Sequence, residues 1–397
     1  MKVCILTPEF LPAWGGVGTY AYNLARGLQD RAEVHVLTGA AAPPRVDEDL
    51  EGVQVHPAFP GGNSRHEVSP FRFQAAVFRR LPRLARRYGF DIVHANHAYM
   101  SDLLVRLRRR SAATVVTVHT TLETQVGGTA RASPAAPRDS LEGRIARWRL
   151  LLETVERHYL RGTPAMIFVS RWLRDRTLRS YRVHPRLSTV VPNAIDTERL
   201  SPPVAGDGGV GPTSSDRPTL LFAGRLLAMK GIETLLRAMT RLDPSVRLLL
   251  AGPGDQGPWK ALAYDLGLTS ERCEFLGRVP YEAMPTLYRQ VDAVVLPSFT
   301  ESCPMVALEA MACGTPLIAA DVGGVSEIVR DGETGWLFPA GDADGLASCV
   351  QSVLGDTVRR EGVRARARAW AEANASIDRM AGETFRFYER LVGGEAS

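Results

Sequence analysis

Two carboxylates eight residues apart, Glu301 and Glu309, stand in the segment Ser298-Phe299-Thr300-Glu301-Ser302-Cys303-Pro304-Met305-Val306-Ala307-Leu308-Glu309-Ala310-Met311-Ala312-Cys313-Gly314. The apolar run Val294–Leu296 ahead of it reads as a strand. The stretch after Glu301 reads as a helix, with Pro304 near the first turn, where a missing N–H is harmless. Free amides at a helix N-terminus, together with the macrodipole, suit a phosphate. Glu301 falls in the loop before the helix, and Glu309 lies about five residues inside, or about 8 Å along the axis. A ligand with a hexose at one end, a diphosphate in the middle and a ribose at the other fits this order. One carboxylate would accept from hexose hydroxyls, the helix end would hold the diphosphate, and the second carboxylate would grip the ribose diol. Such charge-assisted bonds contribute about 1.5–3 kcal/mol each. Glutamates at this spacing also occur as ordinary solvated helix residues. The strand before, the helix after and the small residues around set this pair apart.

In that setting the segment resembles the E-x7-E signature of the retaining glycosyltransferases of family four, which share the GT-B fold. Phe222-Ala223-Gly224-Arg225-Leu226-Leu227-Ala228-Met229-Lys230-Gly231 resembles the family stretch in which an arginine and a lysine bind the donor diphosphate, here Arg225 and Lys230. A strand end followed by two cations five apart, before a helix, is also a sound phosphate clamp on physical grounds. Lys230 is one of only three lysines among 48 basic residues, so a lysine at this place is not the chain's default cation. Pro8–Thr19 resembles the family's glycine loop, where a glycine amide meets the donor phosphate or the acceptor; Gly16 is the residue implied. A dinucleotide-binding GxGxxG would follow strand one at once, and these glycines come about eight residues too late.

Other segments agree with the resemblance. Gly277-Arg278-Val279-Pro280 is similar to the loop whose backbone, around Val279, contacts the nucleotide base. Val190–Asp196 resembles the strand and turn before the interdomain link, and Asp321–Glu327 a structural turn into a helix. His119, after the strand Thr114–Val118, stands where the family places a histidine facing the transferred sugar, to stabilise charge or bond a hydroxyl. His94 and His97 end a neighbouring strand; an acceptor-lining role and a structural one are equally open. Pro304 replaces a glycine common in the family and cannot donate its amide, whereas Cys303, Met305 and Val306 keep theirs.

The resemblance implies a retaining, metal-independent hexosyltransferase. The donor would be a nucleoside-diphosphate sugar, UDP ahead of GDP by family frequency, and the acceptor a small molecule or glycolipid. Glu301, His119, Arg225 and Lys230 would act on the transferred sugar and leaving group. Gly16, Val279, Cys303, Met305, Val306 and Glu309 would complete the donor site. No cofactor is implied, and no metal: Asp342-Ala343-Asp344 matches a DxD pattern, but aspartate as a helix N-cap is the simpler account. The alternatives are a GT-B sugar phosphorylase or nucleotide-sugar epimerase, and a non-catalytic nucleotide-sugar-binding or membrane-surface protein.

The elements that must position these residues alternate along the chain. Strands are expected at Val3–Thr7, Val34–Leu37, Val53–Val55, Ile92–His94, Thr114–Val118, Met166–Val169 and Thr189–Val191. A second set lies at Leu220–Ala223, Leu248–Ala251, Glu274–Leu276, Ala293–Leu296 and Leu317–Ala320. Many are continuous apolar runs, as parallel strands covered on both faces require. Helical patterns separate them, among them Tyr20–Gln29, Phe73–Tyr88 and Leu141–Leu160; Gln125–Ser140, polar and rich in small residues, reads as a mobile loop. The expected architecture is α/β, GT-B: two Rossmann-like doubly wound parallel-sheet domains facing across a cleft. Residues 1–198 form the acceptor-side domain, joined by the C-terminal helix 377–397. Residues 199–376 form the nucleotide-sugar domain. The Gly-, Pro- and Ser-rich stretch 201–218 reads as a linker or mobile insertion.

Composition excludes other classes. The 397 residues carry 48 basic and 43 acidic side chains, and the five cysteines show no metal-ligand spacing. Arginines are spread without a nucleic-acid module, so no nucleic-acid partner is expected. No signal or membrane-spanning run is visible, so a cytoplasmic place is expected; arginine-rich, alanine-rich usage reads as bacterial. The basic, apolar-interleaved stretch 71–88 reads first as a solvated helix and second as a weak peripheral contact with the inner membrane face. Pro82 is expected to interrupt it as a long interfacial helix. The oligomeric state is open.

Overall fold

A computed structural model of the chain describes residues 1–10, 15–39, 50–59, 70–97, 100–105, 112–133, 136–137, 140–203 and 217–394. They cluster in two compact units. The first comprises Met1–Thr121, Leu151–Ala194 and Ile377–Ser397, and the second Leu122–Leu150 and Ile195–Ser376.

The chain opens with β1 (Lys2–Thr7), α1 (Gly16–Leu28), β2 (Glu33–Thr38), β3 (Val53–Pro57), α2 (Pro70–Tyr88), β4 (Ile92–Asn96) and β5 (Ala113–Val118). Helices α3 (Leu122–Arg131) and α4 (Ser140–Arg161) come next, then β6 (Ala165–Phe168), α5 (Arg171–Tyr181) and β7 (Leu187–Val190). The seven strands form one parallel sheet in the order β3-β2-β1-β4-β5-β6-β7. Its strands are runs of Val, Ile, Leu and Ala because both faces are covered. Val3, Ile5, Val34, Val36, Ile92, Val115 and Ile167 form the core beneath Tyr20, Leu24 and Leu28 of α1.

The second array begins at β8 (Thr219–Ala223) and continues with α6 (Ile232–Met239), β9 (Arg247–Ala251), α7 (Gly257–Asp265), β10 (Cys273–Gly277), α8 (Met284–Arg289) and β11 (Ala293–Leu296). Then come α9 (Met305–Ala312), β12 (Leu317–Ala320), β13 (Trp336–Phe338), α10 (Ala343–Gly355), α11 (Thr357–Asn374) and α12 (Ile377–Val392). The second sheet is also parallel, ordered β10-β9-β8-β11-β12-β13. The last helix returns to the first unit. It packs along α1 and buries Met380, Ala381, Phe387 and Tyr388.

Both units are therefore Rossmann-like and doubly wound. Strand order reverses between β1 and β4 in the first sheet and between β8 and β11 in the second. Ligands of such sheets bind outside the carboxyl ends of the strands at this reversal. In the second unit the loops there carry Arg225 and Lys230 after β8 and Glu301 after β11.

Four expectations need correction. Residues 125–131, expected to be part of a loop, belong to the helix α3. Residues 122–150 also cluster with the second unit rather than the first: Arg131 donates to the Phe299 carbonyl at 3.5 Å, and the Glu142 carboxylate accepts from the Ala228 amide at 3.4 Å. Pro82 does not interrupt α2, which runs through it from Pro70 to Tyr88. The strand β13 was not foreseen, because three residues are too few to show a pattern. In α2, Phe73, Val77 and Leu81 are buried, which fits the solvated-helix reading of 71–88. Most of the linker, 204–216, lies outside the described residues. Among the described residues no helix is long and apolar enough to cross a membrane.

Candidate active site

In the second unit, a 3-10 turn at Ala228–Lys230 ends the loop after β8, and Gly231 is the N-cap of α6. The Phe299 amide donates to the Met229 carbonyl at 2.9 Å, so the loops after β8 and β11 are tied by backbone. This brings the Lys230 Nζ to 2.6 Å from Glu301 Oε1. The buried Ser298 hydroxyl donates to the same oxygen at 2.7 Å. The Gly324 amide donates to the Glu301 carbonyl at 2.9 Å and fixes the residue's backbone. Glu301 is thus held by a cation, a hydroxyl and an amide, with its side chain only 10% exposed against 24% for Lys230.

Helix α9 comes directly after, with Pro304 in extended conformation as its N-cap. Cys303 and Pro304 are buried, while Met305 and Val306 in the first turn are half-buried. Helix geometry leaves first-turn amides without intrahelical acceptors, which is the property that suits an anion. Glu309 is the fifth residue of the helix and is buried. Its Oε2 accepts from the Tyr288 hydroxyl of α8 at 2.6 Å. Burial pushes the Glu309 carboxyl above the usual carboxylate range, and the bond from Tyr288 pulls the other way.

The remaining residues foreseen for this unit lie on the same strand-end edge. Arg225 is exposed in the loop after β8, and Val279 is half-buried after β10, two strands further from β11. The DxD carboxylates are engaged elsewhere. Asp342 caps α10 by accepting from the Gly345 amide at 2.8 Å, and Asp344 pairs with Arg241. Ser298 and Tyr288 were not foreseen. Ser298 stands three residues before Glu301, a usable signal, whereas Tyr288 is 21 residues from Glu309.

The first unit holds Gly16 and His119. Gly16 is exposed as the first residue of α1, and the preceding Gly15 amide donates to Glu9 Oε2 at 3.1 Å. His119 is half-buried past the end of β5, its Nε2 3.3 Å from Asn96 Oδ1 and its ring edge-on to Tyr20 at 4.5 Å. Burial, reinforced by His94 and His97, pulls its imidazole down to about 3. The two neighbouring histidines do not line an open site. His94 is fully buried between the hydroxyls of Tyr388 and Thr117, and His97 is buried with its Nδ1 2.9 Å from the Thr120 carbonyl oxygen.

Burial also lowers His94 to about 3, and burial with His35, Arg80 and Arg87 lowers His56 to about 4. These rings are neutral in the folded chain, whereas the unfolded chain takes up protons near pH 6.5. The stability these rings contribute is therefore present above about pH 6.5 and is lost as the pH drops towards the folded values. The unfolding midpoint is expected to decline between pH 6.5 and 5, before most carboxylates titrate. His94→Gln is expected to flatten that slope; an unchanged slope would contradict the assignment.

Comparison with known proteins meets this geometry. Residues 14–199 match the family described as Glycosyltransferase Family 4, and residues 210–370 match Glycosyl transferases group 1. The D-inositol 3-phosphate glycosyltransferase of Xylanimonas cellulosilytica is 30% identical over 394 residues, covering 91% of this chain and 90% of its own. The chain belongs to glycosyltransferase family 4. Among solved structures, this glycosyltransferase is similar to sucrose-phosphate synthase from Thermosynechococcus elongatus, at 25% identity and TM-score 0.81 over the full length of both chains. It shares its fold with Anabaena Alr3699/HepE, solved in complex with UDP-glucose, at 22% identity and TM-score 0.73 over 97% of this chain and 99% of that one. The family 4 glycosyltransferase thus has the GT-B fold, with Glu301 in the loop before one helix of its second unit and Glu309 inside that helix.

Proposed function

We propose that this glycosyltransferase moves a hexosyl unit from a nucleoside-diphosphate sugar, UDP ahead of GDP, to a small-molecule or glycolipid acceptor with retention at the anomeric carbon. The observation that carries the reading is the Lys230–Glu301 pair at the head of α9, with Glu309 inside the same helix. On donor binding, Lys230 would turn from Glu301 to the diphosphate, joined by Arg225 and the first-turn amides of Met305 and Val306. Gly16 and Cys303 would add amide contacts, and the backbone at Val279 would meet the base. Glu301, released from the lysine, would accept from hexose hydroxyls, and Glu309 would hold the ribose.

In the transfer step the bond from the anomeric carbon to the diphosphate oxygen breaks. The acceptor oxygen bonds to the same face of that carbon, and its proton passes to the leaving phosphate oxygen. Arg225, Lys230 and the α9 N-terminus would stabilise the developing charge without a metal. A neutral His119 fits the role of bonding a sugar hydroxyl rather than countering charge. The relative named for D-inositol 3-phosphate supports a small phosphorylated polyol as the first acceptor to try.

The test is a thermal-shift screen with UDP, GDP, TDP and ADP, then mass spectrometry of the preferred donor sugar with an acceptor panel. UDP is expected to raise the unfolding midpoint most, and one hexose to appear on an acceptor with its anomeric configuration kept. Conversion of donor without acceptor would instead indicate an epimerase. Neither hydrolysis nor transfer across the panel would indicate a binding protein without turnover.

A further inference from the structure

Tyr288 is fully buried, and its hydroxyl is 2.6 Å from Glu309 Oε2. Its backbone is anchored as well: the Thr315 hydroxyl donates to the Tyr288 carbonyl at 2.8 Å. One residue of α8 is therefore bonded to the body of α9 through its side chain and to Thr315, three residues beyond the end of α9, through its main chain. A buried hydroxyl is costly unless bonded, so phenylalanine would be the cheaper choice for packing alone. A carboxylate on a three-torsion side chain can rotate. Holding one oxygen fixes the plane of the group and so the direction of the other oxygen.

We propose that Tyr288 is a positioning residue, which holds one oxygen of Glu309 so that the carboxylate meets the ribose diol of the donor nucleotide. The inference rests on the reading above that Glu309 grips the ribose. The bond also favours the charged carboxylate against the burial that disfavours it, and a charged acceptor is the stronger partner for a diol.

The experiment titrates wild type, Tyr288→Phe, Glu309→Gln and the double variant with UDP and 2′,3′-dideoxy-UDP by calorimetry. The corresponding pair is used if GDP or ADP binds better. Wild type is expected to favour the ribose nucleotide at least tenfold. Tyr288→Phe is expected to bind UDP about tenfold more weakly and dideoxy-UDP within twofold of wild type. In steady-state kinetics it is expected to raise the donor KM with kcat nearly unchanged. Adding Tyr288→Phe to Glu309→Gln is expected to cost UDP binding little more. Equal loss for both nucleotides, no loss for either, or a variant that does not fold would assign the bond to structure and overturn the proposal. A wild type indifferent to the ribose hydroxyls would overturn the Glu309 reading itself.

Discussion

Lys230→Ala is expected to lower kcat/KM by about 10²–10³-fold, the range seen when one preorganised charge-stabilising group is removed from a transfer site. The ammonium lies 2.6 Å from Glu301 and is a quarter exposed, so it is near the surface yet held in place. Its loss removes a cation that would meet the departing diphosphate, where charge grows as the glycosidic bond breaks. Stability should change far less, by about 1 kcal/mol, because partly exposed ion pairs contribute modestly. Ser298 would still bond the same Glu301 oxygen. Lys230→Arg keeps the charge but replaces a compact ammonium with a wider planar fork, so it should recover only part of the rate. Steady-state kinetics beside a thermal scan decides the matter. Near-normal turnover in the alanine variant would remove Lys230 from the mechanism.

Gly231→Ala is expected to damage both the fold and the site. Gly231 has φ +70°, and a Cβ there would sit 1.9 Å from the Pro297 carbonyl oxygen. The left-handed conformation costs a non-glycine residue about 1–2 kcal/mol, and relief of the clash about 1–3 more. A loss of about 3 kcal/mol corresponds to roughly 5–10 °C in the unfolding midpoint. The clash also pushes apart the loop that carries Lys230 and the loop that carries Glu301, so turnover should fall even in the folded fraction. Gly267→Ala is the control, since Gly267 has φ +74° with open space where its Cβ would lie. It should lose only the conformational part and keep full activity. Equal midpoints for the two variants would show that the approach to Pro297 is not tight.

The alternation of strands and helices was legible because buried parallel strands leave continuous apolar runs, as in β8 and β11, every residue of which is buried. Elements made by tertiary packing were not. Helix α3 contains Gly127 and Gly128 among polar residues, a loop-like composition, yet it packs as a helix against the turn that carries Lys230. The types at Glu301 and Lys230 announced a charged site, but their direct pairing depends on how two loops from non-consecutive strands are tied. Ser298 was within sight of Glu301. Tyr288 gave no sign, since only the packing of α8 on α9 brings its hydroxyl to Glu309. The sequence left His94 open between a lining and a structural role; packing of β5 and α12 buries it between the hydroxyls of Thr117 and Tyr388, while His119 stays past the strand end, half-buried.

Helix α12 has a consequence for synthesis. The first unit begins at the amino terminus, yet Met380, Ala381, Phe387 and Tyr388 complete its core, and the Tyr388 hydroxyl bonds His94. While the ribosome is still translating the codons for α12, the nascent first unit carries an apolar groove along α1, whereas every strand of the second sheet has already been made. The later-born half can therefore close its sheet first, and the older half completes its core only once its last helix emerges.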